Sequence, residues 1–208
     1  MQNSLQHFVS DLITLFVVIH PIGILPVFLS VTHDMEAPMQ RRVASRATLI
    51  AYGVLLFFIV AGQFLLNVIG IRLYSFQLAG SLVLLLFALT MIFGIGANFS
   101  IDLTKVPDAE RAVFPLAIPA IAGPGTMLAV VMLTDDDRFT FAEQMQTAAT
   151  LGLVLLLTWA IMWLAKPILN LIHRTGASIV ERVMGLLLAS FAVDGLVQAI
   201  TAIVRQPG

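Results

Sequence analysis

The sequence contains no cysteine. This absence excludes disulfide bonds, cysteine zinc sites and cysteine nucleophiles. Charged residues are also scarce, at 11% of the 208 residues, whereas soluble domains have about 25%. Together with 59% hydrophobic residues, this composition predicts an integral membrane protein with little soluble mass. The net charge of −1 indicates no nucleic-acid partner.

Several functional motifs are missing as well. There is no Walker A motif, so ATP is not expected to drive the protein directly. No Ser-His-Asp, HExxH or paired-carboxylate arrangement can be assembled, which argues against an enzyme, and no cofactor is expected. The four histidines lack HxxxH spacing, which argues against a metal centre: His7, His20, His33 and His173.

The start of the chain lacks the basic segment of a cleaved signal peptide, because residues 1–10 contain no Lys or Arg. The first apolar run is therefore interpreted as a true span. Six runs are long enough to cross a core of about 30 Å, which takes roughly 20 residues. We place them at Phe8–Thr32, Thr48–Ile69, Phe76–Gly96, Phe114–Leu133, Thr147–Leu164 and Val183–Val204. The predicted fold is an all-α membrane domain that comprises residues 1–208.

The fourth run cannot be one continuous helix. Pro119 and Pro124 each remove a backbone donor and clash with the preceding turn. Gly123 and Gly125 lower the helix propensity further. A break at membrane depth survives only where it is buried in protein or lines a cavity. A Pro/Gly break between two half-helices is a pointer to the binding site of a transporter.

The first run contains a second interruption of the same kind, with Pro21, Gly23 and Pro26 directly after His20. The two prolines are five residues apart in both runs, and other segments also recur at an offset of about one hundred residues. The interpretation is a repeat, with residues 1–96 as the first half and 112–208 as the second. Because each half has three spans, the second half is inverted, as in several secondary transporters.

Basic residues are concentrated in alternate loops, which predicts the orientation. Eight of the eleven lie in the first, third and fifth connections: Arg41, Arg42, Arg46, Lys105, Arg111, Lys166, Arg174 and Arg182. Both chain termini are therefore expected on the outer, periplasmic side of an inner membrane.

The second half-helices are expected to start near Leu25 and Gly125, with N-termini that attract an anionic group. The first half-helices, ending near His20 and at 119–121, would offer free carbonyls to a cation. A small zwitterion fits both ends, and the hydroxyl of Thr126 can add one hydrogen bond. The predicted substrate site comprises His20, Pro21, Ile22, Gly23, Pro119, Ala122, Gly123, Pro124, Gly125 and Thr126. The glycines, having no Cβ, are expected to let a carboxylate approach the backbone without serving as packing positions.

The other polar residues leave alternatives open. His20 is either a satisfied core histidine or a proton or substrate group. Asp194, inside the sixth run, is a proton-coupling candidate, or it is paired with Gln198 one turn on. Asp11 is expected to be solvated near the outer surface. The sequence 135–138 is expected to be a solvated turn rather than a metal site, and the long loop, which includes Arg111, is also expected to be solvated.

The most specific segments resemble the MarC family of six-span inner-membrane proteins: 20–26 (HPIGILP), 114–119 (FPLAIP), 122–126 (AGPGT) and 181–187 (ERVMGLL). The likeness covers essentially the whole chain. It implies a transporter related to the small-neutral-amino-acid carriers called SnatA, which handle glycine and alanine and have relatives linked to amino acid export.

Two functions compete on the sequence. The first is a secondary transporter, an exporter or exchanger, of small neutral amino acids. The second is a non-transporting assembly or regulatory membrane protein, which would have no need for broken helices. The expected partners are a small zwitterionic substrate, the lipid bilayer and a coupling proton or cation, with self-association into a homo-oligomer left open.

Overall fold

A computed structural model describes residues 2–94, 107–135 and 138–205. Its elements are helices: α1 (Gln2–Ile19), α2 (Ile24–Val31), α3 (Ala37–Ile69), α4 (Leu73–Phe93), α5 (Asp108–Arg111), a π-helical segment (Ala112–Ile121), α6 (Pro124–Leu133), α7 (Phe141–Trp163) and α8 (Ala165–Arg205). The all-helical class predicted from the sequence is confirmed. Most of the predicted long loop, residues 97–106, lies outside the described residues.

Four helical stretches are long and apolar enough to cross a membrane: Ala37–Ile69, Leu73–Phe93, Phe141–Trp163 and Arg182–Arg205. The π-helical segment and α6 form a pair bent by 54°, which makes a fifth span when the pair is counted as one. The first apolar run is divided between α1 and α2. The protein is therefore a multi-pass membrane protein with four to five candidate spans in the described residues.

The helix ends follow local sequence signals. Pro38 lies in the first turn of α3, where a missing N–H breaks no helical hydrogen bond. Thr140 and Glu143 form a reciprocal capping box at the start of α7. Gly70 and Gly94 follow α3 and α4 with φ of 76° and 69°, the left-handed conformation that glycine adopts without steric penalty.

The prediction of a short connection before the sixth span is wrong. The sequence indicated a short basic link around Gly176, but α8 begins at Ala165 and continues through 41 residues to Arg205. Pro167 does not stop this helix because it stands in the first turn, where its missing donor is harmless. An internal glycine such as Gly176 lowers helix stability by only about 1 kcal/mol.

The two interrupted runs pack against each other, and the first half of each run contacts the second half of the other. Helix α1 contacts α6 and α7, whereas α2 contacts the π-helical segment. Residues beside both breaks belong to one buried apolar cluster, including Ile19, Ile24, Ile121 and Ala122. The packing therefore brings the two interruptions predicted from proline and glycine into the same part of the core.

Candidate functional site

The first break separates α1 from α2 at residues 20–23. His20 has a positive φ of 46°, and the backbone N–H of Gly23 donates to the carbonyl oxygen of His20 at 3.0 Å. Pro21 has no N–H to continue the helix of α1. The chain therefore turns sharply after Ile19, and α2 begins at Ile24, close to the predicted Leu25.

The imidazole of His20 lies directly over Gly23. A Cβ built on Gly23 would be 1.6 Å from His20 Nε2. The His20 side chain is buried at 5% exposure, and its Nε2 has no hydrogen-bond partner among the described residues. The space at Gly23 that the sequence assigned to a ligand is thus occupied by the imidazole, which keeps one unsatisfied polar atom.

The second break is preceded by irregular backbone. Phe114 and Ile118 have extended φ/ψ angles inside the π-helical segment. Each stands before a proline, and the ring of a following proline disfavours the helical conformation. The regular first half-helix predicted before residue 121 is therefore wrong. The N–H of Ala122 donates to the carbonyl of Ala117 at 2.8 Å, and α6 begins at Pro124.

The hydroxyl of Thr126 closes part of this break. Its Oγ1 donates to the carbonyl oxygen of Ile121 at 3.0 Å, and Thr126 is buried. The hydroxyl proton thus satisfies a carbonyl that the break leaves without a helical partner. The oxygen of Thr126 can still accept a hydrogen bond from a bound molecule.

The glycines of the second break are packing positions. A Cβ on Gly123 would lie 2.7 Å from the carbonyl oxygen of Pro119, and a Cβ on Gly125 would lie 2.4 Å from Leu84 Cδ1. The prediction that glycine substitutions would leave the packing faces untouched is therefore wrong. Larger residues here would displace backbone or neighbouring helices before they met any ligand.

Both half-helices begin without a side-chain cap among the described residues. Helix N-termini carry unpaired N–H groups and about half a positive charge, and buried ends normally have such groups satisfied. Pro119 and Pro124 are exposed at the second break, whereas Ala122 and Thr126 are buried. The break therefore connects the core with the surface, and its N–H groups can receive an anionic group such as a carboxylate.

Asp194 lies apart from this arrangement, on an exposed face of α8. Gln198 Nε2 donates to Asp194 Oδ2 at 2.7 Å, which confirms the pairing that the sequence allowed. The proton-coupling role of Asp194 stays a prediction.

The sequence prediction that Arg111 is solvated is wrong. Arg111 is buried, and its Nη1 donates to Asp34 Oδ1 at 2.7 Å and to the carbonyl oxygen of Val31 at 3.2 Å. This ion pair ties α5 to the end of α2. The hydrogen bond from Arg111 lowers the pKa of Asp34 below its usual range. Arg111 and Asp34 each flank a Pro/Gly-interrupted run in the sequence. This shared position is the sequence signal that could have predicted their pairing.

Two acidic residues expected to be solvated are buried instead. Asp11 is 1% exposed and accepts a hydrogen bond from Thr147 Oγ1 at 2.6 Å. Asp135 is 5% exposed, accepts from Gln63 Nε2 at 3.1 Å and lies 3.7 Å from Arg138. Residues 136 and 137 of the predicted turn lie outside the described residues. Within the described ranges, no group of three or more His, Asp or Glu side chains could hold a metal ion.

Comparisons with known proteins agree with the membrane architecture. A family model described as "MarC family integral membrane protein" matches residues 5–204. A UPF0056 membrane protein of Methanocaldococcus jannaschii is 31% identical, over 95% of this chain and 97% of its own length. The UPF0056 inner membrane protein YhgN of Escherichia coli is 32% identical, over 91% and 94%. No solved structure matches the chain.

Proposed function

The chain belongs to the MarC family of integral membrane proteins, and we propose that it is a secondary transporter of small neutral amino acids such as glycine and alanine. The observation that carries the proposal is the pair of helix breaks in one core cluster, each followed by a half-helix without a side-chain cap. A purely structural membrane protein has no need to bury two such N-termini.

The chemistry of the breaks favours a zwitterion. The N–H groups at the start of α6 suit a carboxylate, and the carbonyl oxygen of Pro119, beside Gly123, can accept from an ammonium group. His20 Nε2 adds a buried polar atom at the first break. Apolar residues such as Ile19 and Ile121 surround both breaks, so the bound side chain should be small or apolar.

Six spans in two inverted halves remain part of the proposal, and matched hydrogen bonds support them. Thr32 Oγ1 donates to the carbonyl of Phe28, and Thr134 Oγ1 donates to that of Val130, in each case four residues earlier. After the following turns, the side chains of Gln40 and Gln144 each donate to the carbonyl of the residue five positions before. The exits of α2 and α6 are therefore built alike.

The proposed location is the inner, or cytoplasmic, membrane. The name of the E. coli relative, an inner membrane protein, supports this assignment. Export or exchange is the proposed direction, with a proton or cation as the coupling ion. No ATP-binding motif is present in the sequence, so an ion or substrate gradient is the expected energy source.

Binding and uptake of labelled glycine and alanine by purified protein in proteoliposomes test the function. The site variants are His20→Asn and Thr126→Val, since glycine substitutions would disturb packing. Thr126→Val removes the hydroxyl oxygen that can accept a hydrogen bond from the ligand. The loss of one such bond, worth roughly 0.5–1.5 kcal/mol, should weaken binding by about tenfold at most. Loss of the buried His20 Nε2, which the proposal places against the ligand, should weaken binding as well.

Thr158→Val is the matched control, because Thr158 is buried and donates to the carbonyl of Val154 within α7. It should bind substrate like the parent protein. Folded parent protein that neither binds nor moves glycine or alanine would contradict the proposed function. Normal binding by both folded site variants would contradict the assignment of the breaks as the site.

A further inference from the structure

Three exposed arginines form a basic patch on the first turns of α3: Arg41, Arg42 and Arg46. At roughly 100° per residue, they lie within an arc of about 140° around the helix axis. Val43 and Ala44, which are buried in the core, lie on the opposite side of the same turns. The basic patch therefore faces away from the core of the helix bundle.

The charge of the basic patch is not neutralised by the protein. In the part of the chain that the structure describes, the ion pairs join other residues, so none of the three arginines has a carboxylate partner. Asp34, the nearest acidic group but one along the chain, is paired with Arg111. Glu36 is exposed at the N-cap of α3. An anion from outside the chain can therefore approach all three guanidinium groups.

Two tryptophans of α7 border the basic patch. Arg41 Cζ lies 4.4 Å from the centroid of the Trp163 ring, and Trp163 is stacked with Trp159 at 6.0 Å between centroids. Trp159 Nε1 donates to Ser45 Oγ at 3.0 Å, which ties α7 to this part of α3. Lys166, also exposed, follows Trp163 by three residues. Tryptophan and basic residues together are typical of the headgroup region of a membrane.

The surface next to the basic patch is apolar on both helices. Leu49 is 71% exposed and follows Arg46 by three residues, a rise of about 4.5 Å along α3. On α7, Leu156 is 58% exposed and lies two turns before Trp163. The change from charged to apolar residues places the arginines at the boundary between lipid headgroups and acyl chains.

We propose that the basic patch, together with Trp163, binds an anionic phospholipid. The planar guanidinium group stacks on aromatic rings and binds phosphate oxygens in a bidentate manner, and the acyl chains would lie against Leu49 and Leu156. A zwitterionic phospholipid is disfavoured, because its own ammonium group is repelled by the three unpaired cations. The exposed leucines favour a lipid over an acidic soluble protein. This site is separate from the two helix breaks and does not depend on the proposed transport function.

Tryptophan fluorescence tests the proposal directly, because Trp159 and Trp163 are the two tryptophans of the chain. The full-length protein is reconstituted into phosphatidylcholine vesicles that contain a low fraction of phosphatidylglycerol. Bromine atoms, which quench tryptophan at short range, are carried on the acyl chains of either this phosphatidylglycerol or an equal fraction of the phosphatidylcholine. Each emission is compared with that of the same mixture without bromine. Brominated phosphatidylglycerol should quench several-fold more than brominated phosphatidylcholine.

Arg42→Gln and Arg46→Gln should each lower the preference for phosphatidylglycerol by about fivefold, since one basic residue near an anionic surface contributes about 1 kcal/mol. Both arginines are exposed, so the folded protein should melt like the parent. Arg72→Gln is the matched control. Arg72 is also an exposed arginine over an aromatic ring, that of Tyr74, but it lies at the other end of α3. This variant should keep the preference of the parent protein.

Equal quenching by the two brominated lipids would overturn the proposal. So would a preference that survives when Arg42→Gln and Arg46→Gln are combined, or one that falls equally in Arg72→Gln, because net charge alone would then explain it. Inorganic phosphate added to the vesicles distinguishes a lipid headgroup from a free anion. Loss of the excess quenching at millimolar phosphate, but not at the same ionic strength of chloride, would show a site for free phosphate and overturn the lipid assignment.

Discussion

His20 combines two features in one residue, a left-handed backbone and a buried imidazole with an unsatisfied atom. The left-handed conformation is uncommon for residues other than glycine, although histidine is among those enriched in it. It turns the chain after α1 and places the ring over Gly23. Glycine at position 23 is thus explained by its own neighbour, since any Cβ there would overlap the ring.

Gly23→Ala should destabilise the protein by about 1–3 kcal/mol, the usual penalty for overpacking, because the imidazole must leave its place. In a His20→Ala background the same substitution should cost much less, since the ring is gone. Thermal unfolding of the four proteins measures this coupling. Gly53→Ala is the control, because a Cβ at Gly53 meets nothing within 4 Å. Equal losses in both backgrounds would show that the ring is not the obstacle.

Helices α4 and α6 meet through two reciprocal contacts between glycine and leucine. A Cβ on Gly80 would lie 2.9 Å from Leu128, and one on Gly125 would lie 2.4 Å from Leu84. Small residues let membrane helices approach closely, where van der Waals packing holds them together. The start of α6, and with it the second break, is therefore positioned by contact with α4.

We expect Gly125→Ala to lower the melting temperature and Leu84→Ala to lower it as well, through a cavity in the α4–α6 contact. The double substitution should be more stable than the sum of both losses predicts, because each change makes room for the other. A double-mutant cycle of thermal unfolding gives the coupling. Strict additivity would mean that Gly125 is required for its backbone and not for this contact.

Arg111, at the entry of the second interrupted run, is bonded to Val31 and Asp34 at the exit of the first. Arg111→Met should destabilise the protein by about 1–3 kcal/mol, because it leaves a buried carbonyl without its donor. The pKa of Asp34 is lowered in the folded protein, so its contribution is present above the unfolded value of about 3.9 and is lost as the pH falls through the lower, folded value. In Asp34→Asn this acid-dependent loss should be absent from melting curves, whereas Glu36→Gln should retain it.

The sequence predicted the helix breaks but not the polar pairs. Proline and glycine act locally, so the ends of α1 at Ile19 and the start of α6 at Pro124 follow from neighbouring residues. Asp11 meets Thr147 across 136 positions, and Arg111 meets Asp34 across 77. Such pairs depend on how the helices pack, which hydrophobic patterns in a nearly uniform apolar sequence do not specify. For that reason the sequence alone predicts that acidic residues are solvated surface charges.

At the scale of the whole molecule, charge predicts orientation. Arg41 lies 4.4 Å from the centroid of the Trp163 ring, so a basic residue and an aromatic ring meet at the same end of the bundle. Both residue types are typical of a membrane interface, and basic residues mark the cytoplasmic side. A reporter fused after Gly208 should therefore be active only if it works in the periplasm. Activity of a cytoplasmic reporter at that position would reverse the assigned topology.

The exposed face of α8 is the surface through which we expect two copies of the chain to associate. Ser190, Asp194, Gln198 and Thr201 are all exposed, and their spacing places them on one face of the helix. Asp194 is near the middle of the apolar part, Arg182–Arg205, where a charged side chain in lipid costs about 2.5–3.5 kcal/mol. A two-fold contact between copies through this face would bring the two Asp194–Gln198 pairs together and remove them from lipid.

The absence of native cysteine makes this self-association directly measurable by disulfide cross-linking in membranes. Ser190→Cys and Thr201→Cys should each give a covalent dimer under mild oxidation. Val60→Cys, 82% exposed on α3, should not. Adding Asp194→Leu to the Ser190→Cys protein should reduce the dimer, because the polar contact that favours association is lost. Equal cross-linking from Val60→Cys, or none from either α8 position, would show that this face of α8 does not meet a second copy.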